Sequence, residues 1–400
     1  MAKIPSLSLL LSLPFVLPAG YLGLLTVLSA EPDAPAPRPH PTTRFCVVVP
    51  AHDEQDGIAA TVESLLAVDY PRELFEILVV ADNCSDATAE RARQAGAKVL
   101  ERVDATKRGK GYALERAFAE ILEAAQTDAV VVVDADTTVS KNLLRAFDAR
   151  LATGQTALQA EYGVRNPEAS WRTRLMTIAF AIFHGLRGNA RERLGLSAGL
   201  RGNGMCFTTT LLRDVPHSAF SLVEDVEYGI RLGRAGHRVA HVHEAKVRGE
   251  MVASEGASRS QRRRWEDGRR ALVKEHAWPL VRDGLLGRDK VLLDLAADLL
   301  IPPLSTLAAG TAAGIAASLA YAAVAGPRRG ALAALPWLAS GSMLGLYVLR
   351  GTALSGLGLR GYADLAYAPF YVGWKVVLKL TKPQQRKGAQ PEWVRTERGQ

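Results

Sequence analysis

The sequence predicts an α/β protein: a mostly parallel central sheet with crossover helices, flanked by apolar helices that can cross a membrane. Three observations carry that expectation. Short β-branched runs alternate with helix-period segments from Phe45 to Val133, the order that gives a parallel sheet with right-handed crossovers. Three of those runs stop in polar clusters, at residues 50–54, 82–86 and 134–136, and open parallel sheets bind ligands beyond the carboxyl ends of their strands. Runs almost free of charge lie near both ends of the chain, at Ile4 to Ala30, Leu304 to Ala325 and Leu332 to Leu349. Each is close to the roughly 20 residues that span a bilayer.

The composition is 48% hydrophobic and 22% charged, an ordinary globular mixture that excludes wholesale disorder. Four hundred residues suit one large catalytic unit with an accessory region. The net charge of +8 and pI near 9.4 fit anionic lipid headgroups, phosphorylated substrates or nucleic acid. No zinc-finger spacing or basic coiled-coil pattern supports a nucleic-acid partner. Cys46, Cys84 and Cys206 are scattered, without a C-x-x-C, which fits a reducing compartment and argues against a disulfide framework or structural zinc.

In chain order, residues 1–30 read as an N-terminal transmembrane helix, kinked at Pro14 and Pro18, as membrane helices tolerate. A signal peptide is the rival, with Lys3 as its n-region and Leu28-Ser29-Ala30 as its cleavage site. The apolar run is longer than a usual h-region, which favours the anchor. Residues 31–44 form a proline-rich linker, stiff and extended.

Phe45 to Val49 is the first expected strand, and residues 57–67 a helix with Ile58, Val62, Leu65 and Leu66 on one stripe. Phe75 to Val80 is the second strand, residues 87–95 a helix, and Lys98 to Leu100 a short strand. Lys107-Arg108-Gly109-Lys110-Gly111 then leads into a helix through Ala125. Val130 to Val133 suits a strand buried on both faces. It ends in Asp134-Ala135-Asp136, whose carboxylates can converge on one hard cation, Mg²⁺ or Mn²⁺. Two solvated acids opening a surface loop are the plainer reading of so short a motif. Neither G-x-x-x-x-G-K-[ST] nor a G-x-G-x-x-G after the first strand is present. Lys110 could reach a phosphate or be a solvated loop lysine.

Leu158 to Val164 reads as a strand and residues 170–187 as a helix. Gly195 to Met205 carries Gly199, Gly202 and Gly204 around Arg201 and Asn203, a tight loop able to approach a ligand or an ordinary surface turn. Glu224-Asp225 opens a helix through Leu232, as catalytic acids or as helix-capping ones. Val239 to Val247 alternates as a strand and sets His241 and His243 on one face; metal binding is possible for H-x-H, but two half-exposed strand histidines are commoner. In Arg259 to Arg270, helical spacing puts Gln261, Arg264 and Trp265 on roughly one face. Guanidinium groups suit pyrophosphate and an indole suits stacking on a sugar ring; a basic helix on the membrane surface is the rival.

Asp289 to Leu300 reads as an amphipathic lead-in, broken at Pro302-Pro303. Residues 286–380 form a C-terminal membrane region, with spans over 304–325 and 332–349. Tyr362 to Leu380, interrupted by Asp364, Lys375 and Lys379, is expected to be an interfacial helix with Trp374 at headgroup level. Residues 381–400 make a basic cytoplasmic tail.

Six motifs occur in a fixed order over residues 45–270: Pro50-Ala51-His52-Asp53-Glu54, Asp82-Asn83-Cys84-Ser85-Asp86, Gly109-Lys110-Gly111, Asp134-Ala135-Asp136, Glu224-Asp225 and Gln261-Arg262-Arg263-Arg264-Trp265. In this the chain resembles the family 2 glycosyltransferases, and within them the membrane-bound branch of cellulose, chitin and hyaluronan synthases. The resemblance implies a GT-A fold over residues 45–285, a nucleotide-sugar donor (UDP-linked most commonly), a divalent metal (Mg²⁺ or Mn²⁺) and inversion at the anomeric carbon. It implies that Pro50, Glu54 and Asp82 hold the nucleoside and that Lys110 approaches the donor phosphates. Asp134 would lie by the ribose or sugar and the metal, with Asp136 on the metal. Asp225 would be the general base, with Glu224 beside it. Gln261 and Arg264 would steady the diphosphate, and Trp265 would line the acceptor site.

Three residues depart from the family pattern: Asp53 where many relatives carry Asn, Ala81 before Asp82, and Val223 where processive synthases carry Thr. The last, with only three clear spans, leaves processive synthesis open. The expected acceptor is a lipid-linked sugar, a glycolipid or a growing polysaccharide. A catalytically silent nucleotide-sugar-binding subunit is the alternative, and a transporter a third reading, for which intramembrane charges are few.

Overall fold

A computed structural model of the protein describes residues 3–251, 255–370 and 373, with backbone alone at residues 3–6 and 255–264. The helices are α1 (Lys3–Val27), α2 (Ile58–Leu66), α3 (Thr88–Gln94), α4 (Lys110–Ala124), α5 (Leu143–Ala152), α6 (Trp171–Phe180), α7 (Arg187–Leu194), α8 (Thr209–Asp214), α9 (Glu224–Arg234), α10 (Glu255–Gly287), α11 (Lys290–Leu300), α12 (Leu304–Ala325), α13 (Pro327–Leu354) and α14 (Gly358–Asp364). The strands are β1 (Phe45–Ala51), β2 (Phe75–Asp82), β3 (Lys98–Arg102), β4 (Ala129–Val132), β5 (Thr137–Val139), β6 (Ala157–Val164), β7 (Met205–Thr208) and β8 (Ala240–Gly249). The described residues fall into two compact units: one holds those of 1–30, 174–190 and 300–373, the other those of 31–173 and 191–299.

The second unit is built on one eight-stranded sheet, ordered β3-β2-β1-β4-β7-β6-β8-β5. β1, β2, β3 and β4 pair in parallel, as do β6 and β8, while β7 runs antiparallel to both β4 and β6. The valine runs need no alternation because both faces are covered. Val47, Val49, Val79, Val131 and Val133 pack with residues of α2 and α5. Cys46, Val48, Val80, Val130 and Val132 pack with residues of α4, α8 and α9.

Antiparallel β5 forms the edge beside β8, with β7, β6 and β8 between it and β4. Four inter-strand steps of about 4.8 Å make ~19 Å on a flat sheet, and five extended residue steps reach at most ~18 Å. The connection is shorter still, because the Thr137 N–H donates to the Asp134 carbonyl at 3.2 Å. The sheet must therefore coil until its far edge returns beside the end of β4, and Asp134-Ala135-Asp136 is the turn that joins them. Thr61 on α2 braces this turn from below, its hydroxyl donating to the Ala135 carbonyl at 2.7 Å.

The expected linker is held against this unit. The Arg38 guanidinium pairs with Asp148 of α5, which also accepts from the Thr43 hydroxyl at 2.6 Å.

Among the described residues of the first unit, three helices are long and apolar enough to cross a membrane: Leu7–Val27 within α1, all of α12 and all of α13. Only Gly326 separates α12 from α13, so they form an antiparallel hairpin. Close approach depends on small residues: a Cβ on Gly314 would come within 2.1 Å of Trp337, and one on Gly330 within 2.1 Å of Ala322. α1 runs parallel to α13. Ser8 donates to the Ala333 carbonyl at 2.7 Å, Gly23 faces Met343, and Arg350 donates to the Ser29 hydroxyl at 2.9 Å. Between α6 and α7 the chain widens into a π-helical segment, Ala181–Leu186. Of the expected interfacial helix at 362–380, residues up to 364 belong to α14, followed by a 3-10 turn at Leu365–Tyr367. Its part from 371, Trp374 at 374 and the basic tail lie outside the described residues, Gly373 apart.

Candidate active site

The loops after β1 and β2 interlock. Asp53 and Asn83 both take left-handed backbone conformations, with φ of 54° and 52°, which short polar side chains tolerate best after glycine. The Ser85 N–H donates to the Asp53 carboxylate at 2.6 Å, the Glu54 N–H to the Thr88 hydroxyl at 2.8 Å, and the Gln55 N–H to the Asp86 carboxylate at 3.2 Å. The His52 ring is 2.7 Å from the Asp82 carbonyl. Pro50 sits in β1 opposite Val80, and the Glu54 carbonyl accepts the first turn of α2. Asp53, Cys84 and Asp86 bring ligand atoms within 4.8 Å of one another. Their oxygens already accept from Ser85, Gln55 and Thr88, so the group is explained as a lock between the loops.

Asp82 is buried, and its carboxylate accepts from Arg102 at 2.5 Å and from the Asn83 amide at 3.1 Å. Arg102 was not legible as a site residue: K-V-L-E-R reads as a plain edge strand. Only the parallel register, which sets Asp82 opposite Arg102, brings the two together.

Gly109-Lys110-Gly111 opens α4. Gly111 is required by close approach, since a Cβ there would lie 2.3 Å from the Ala219 carbonyl. The Lys110 ammonium meets Asp134 at 2.5 Å, donates to the Gly202 carbonyl, and stands 4.0 Å from Glu224. Gly202 has φ of 79°, and a Cβ on it would lie 3.3 Å from the Asp225 carboxylate. Thus Lys110, Asp134, Glu224 and Asp225, expected to act together, form one cluster around the glycine loop. Glu224 and Asp225 are the first two residues of α9, after Val223. Asp136 accepts from the Thr137 hydroxyl at 3.3 Å at the far end of the same turn as Asp134.

Burial and repulsion from Asp225 push Glu224 up to about 7, against the opposing pull of Lys110. Asp225 is also raised, chiefly by burial, with the Val226 N–H and Lys110 opposing. Burial pulls the Lys110 ammonium down, but Asp134, Glu224 and Asp225 outweigh it and raise it overall.

Trp265 lies in α10 and is 38% exposed. One turn later Gly268 packs on Val223, where a Cβ would sit 3.0 Å from its side chain; the helix thus presses on the residue before Glu224. The side chains of Gln261 and Arg264 lie outside the described residues. His241 and His243 differ in their surroundings. β6 pairs Ala160 with Val242 and Glu161 with Lys246, so a bulge breaks the alternation at 243–245. His241 is sealed at 1% exposure and burial pulls it down to about 3, while His243 turns to Glu244 at 3.2 Å.

Residues 41–268, more than half the chain, match the family described as "Glycosyltransferase like family 2". The beta-monoglucosyldiacylglycerol synthase of Synechocystis sp. is 29% identical over 235 residues, 57% of this chain and 48% of that protein. The probable glycosyltransferase YdaM of Bacillus subtilis is 24% identical over 261 residues, 63% of this chain and 60% of that one. The chain thus spans about half the length of the curated relatives it matches. Among solved structures, a mannosyltransferase from Pyrobaculum calidifontis in complex with GDP-Man and Mn²⁺ aligns at a TM-score of 0.53 with 20% identity, covering 88% of this chain and 98% of that one. That likeness shows the GT-A fold. With its matching domain, its coiled α/β sheet and its ordered motifs, the chain belongs to the family 2 glycosyltransferases.

Proposed function

We propose that the protein is a membrane-anchored inverting glycosyltransferase. It moves a sugar from a nucleotide-sugar donor, UDP-linked, to the hydroxyl of a lipid-linked or glycan acceptor in envelope glycan or glycolipid synthesis. The observation that carries this is the single cluster in which Lys110 touches Asp134 and Gly202 and stands beside Glu224. Inverting transfer needs one base facing the acceptor hydroxyl and cationic groups on the departing diphosphate. Asp225 takes the acceptor proton as the hydroxyl oxygen bonds to the anomeric carbon, and the bond to the diphosphate breaks. Lys110 turns from Asp134 to the diphosphate. Asp82, held by Arg102, faces the nucleoside with Pro50 and Glu54. Gln261 and Arg264 steady the diphosphate, and Trp265 lines the acceptor site.

Asp136 and Asp134 are the residues that would hold a Mg²⁺ or Mn²⁺ ion. Among the described residues, no three His, Cys or carboxylate ligands gather at this turn. Asp134 and Asp136 offer such an ion hard carboxylate oxygens. When bound, it neutralises charge on the leaving diphosphate. A lipid acceptor is favoured by the relative named for monoglucosyldiacylglycerol synthesis and by the three apolar helices.

A donor screen tests the reading: full-length protein in detergent with Mn²⁺, nucleotide release measured for each sugar nucleotide, with and without diacylglycerol. Release from one donor, stimulated by acceptor, is expected. Asp136→Asn should lose most of that release and most metal-dependent donor binding. Full activity in EDTA, unaffected by the substitution, would sink the metal assignment.

A further inference from the structure

The turn that presents Asp134 and Asp136 has to be held at a fixed place relative to Asp225, because one transfer uses both. The Thr137 N–H closes the turn on the Asp134 carbonyl, and Thr61 braces it at Ala135. The side chain that engages both of its ends is Asn203, whose exposure is 0%. Its Oδ1 accepts from the Asp134 N–H at 3.2 Å, and its Nδ2 donates to the Thr137 hydroxyl at 2.7 Å. One amide therefore grips both ends of Asp134-Ala135-Asp136.

Asn203 is itself immobilised. The buried Gln159 amide donates to the Asn203 carbonyl at 2.7 Å, and the Gln159 oxygen accepts from the Arg201 N–H at 2.9 Å. The neighbouring residues tie the loop to the other parts of the site. Gly202 accepts from Lys110 and lies against Asp225. Gly204 bonds across to β4 and β6, its N–H to the Val132 carbonyl at 2.9 Å and its carbonyl from the Ala160 N–H at 2.8 Å. Three consecutive residues thus meet the base and lysine, the acidic turn, and the sheet.

We propose that Asn203, acting through Thr137 and the Asp134 amide, is a positioning residue that sets the acidic turn relative to the catalytic base. The proposal rests on the assignment of Asp134 and Asp136 to the metal and donor. A buried amide with both ends engaged is the kind of support that orients ligand carboxylates from behind, and such partners typically change metal affinity or activity by about 10–100-fold when removed.

Thr137 gives the sharper test, because it can be altered without touching the glycine loop. Thr137→Val keeps the shape and removes both the acceptor of the Asn203 amide and the donor to Asp136; Thr137→Ser keeps the hydroxyl and both bonds. Asn203→Leu removes both of its bonds to the turn and the side-chain hydrogen bond with Tyr162. Full-length proteins in detergent would be compared by Mn²⁺ titration without donor, read by the electron-spin resonance of free Mn²⁺, by kcat and KM for nucleotide release, and by thermal unfolding. Thr137→Val is expected to weaken Mn²⁺ binding and lower kcat, each by about tenfold or more, with acceptor KM unchanged. Thr137→Ser should restore both. Asn203→Leu should lose more, and if it does not fold, the Thr137 pair decides. Wild-type Mn²⁺ affinity and kcat in folded Thr137→Val would overturn the proposal, as would equal impairment in Thr137→Ser. Wild-type protein that neither binds Mn²⁺ nor releases nucleotide would instead overturn the assignment beneath it, and the proposal with it.

Discussion

At the scale of single residues, the paired acids at the start of α9 carry the clearest expectations. Asp225→Asn keeps the shape of the side chain and removes its capacity for a proton. Turnover should fall on the order of a hundredfold or more while donor binding persists. Calorimetry reads the binding and nucleotide release reads the turnover. Near-normal turnover would move the base elsewhere, with Glu224 next in line. The pH dependence follows from the same pair. Glu224 is raised from 4.5 to about 7 by burial and by Asp225, so the activity of the pair should rise with pH through that range. Lys110 opposes the shift, so Lys110→Met should move the ascending limb to higher pH. A limb that stayed in place would separate Lys110 from the pair. For stability the sign is the reverse of the usual carboxylate case. A raised folded pKa gives stability that is present below the unfolded value and lost as pH rises through the folded one. Glu224→Gln should therefore flatten the dependence of Tm on pH between about 4.5 and 7.

At the scale of elements, α9 is placed from behind. A Cβ on Gly233 would fall 2.5 Å from Leu295 of α11, so the helix bearing Glu224 and Asp225 lies directly on α11. That helix is clamped by Arg191 of α7, which is 1% exposed and pairs with Asp294 and Asp298 at 2.9 Å each. Arg269 of α10 adds a bond to the Asp298 carbonyl at 2.7 Å. Arg191→Met should destabilise the protein by about 3–5 kcal/mol, because it strands a buried carboxylate. Adding Asp294→Leu should recover much of that in thermal unfolding. Unchanged unfolding of the single variant would show that the clamp is not needed. None of this was legible in the sequence, for a physical reason. The valine runs, the polar strand ends and the glycine loop are local patterns; the runs read correctly as strands, and the acidic end of β4 and the glycine loop meet at Lys110. Arg102 beside Asp82, Asn203 behind Asp134 and Arg191 against Asp294 are set by pairings across the chain, which no window reveals. β5 and β7, of three and four residues, are too short to show a period. The H-x-H spacing, read as two half-exposed strand histidines, did not show that His241 is sealed, because alternation holds only until a bulge interrupts it.

At the scale of the molecule, the direction of the spans constrains topology. α1 runs parallel to α13 and antiparallel to α12, so the ends of α1 and α13 and the start of α12 lie at one end of the bundle. Residues 31–173 and 191–299 lie between the end of α1 and the start of α12, with residues 174–190 returning to the first unit, so the end of α1 and the start of α12 should share a side. With the proposed nucleotide-sugar donor made in the cytosol, that side should be cytosolic. The positive-inside rule largely agrees: Arg38 and Arg44 follow α1, and Arg350, Arg360 and the Lys382–Arg398 tail follow α13. Arg328 and Arg329, at the hairpin turn, oppose it, as Lys3 does mildly. Cysteine labelling with a membrane-impermeant reagent decides. Single cysteines would replace Arg328 and Gln390 in a background lacking Cys46, Cys84 and Cys206. Labelling from outside is expected at position 328 only. If both positions labelled from outside, the residues after α14 would cross the bilayer a fourth time, and the basic tail would lie on the side the rule disfavours. If position 390 alone labelled from outside, the hairpin turn would face the cytosol and the catalytic unit would be on the side opposite to its donor.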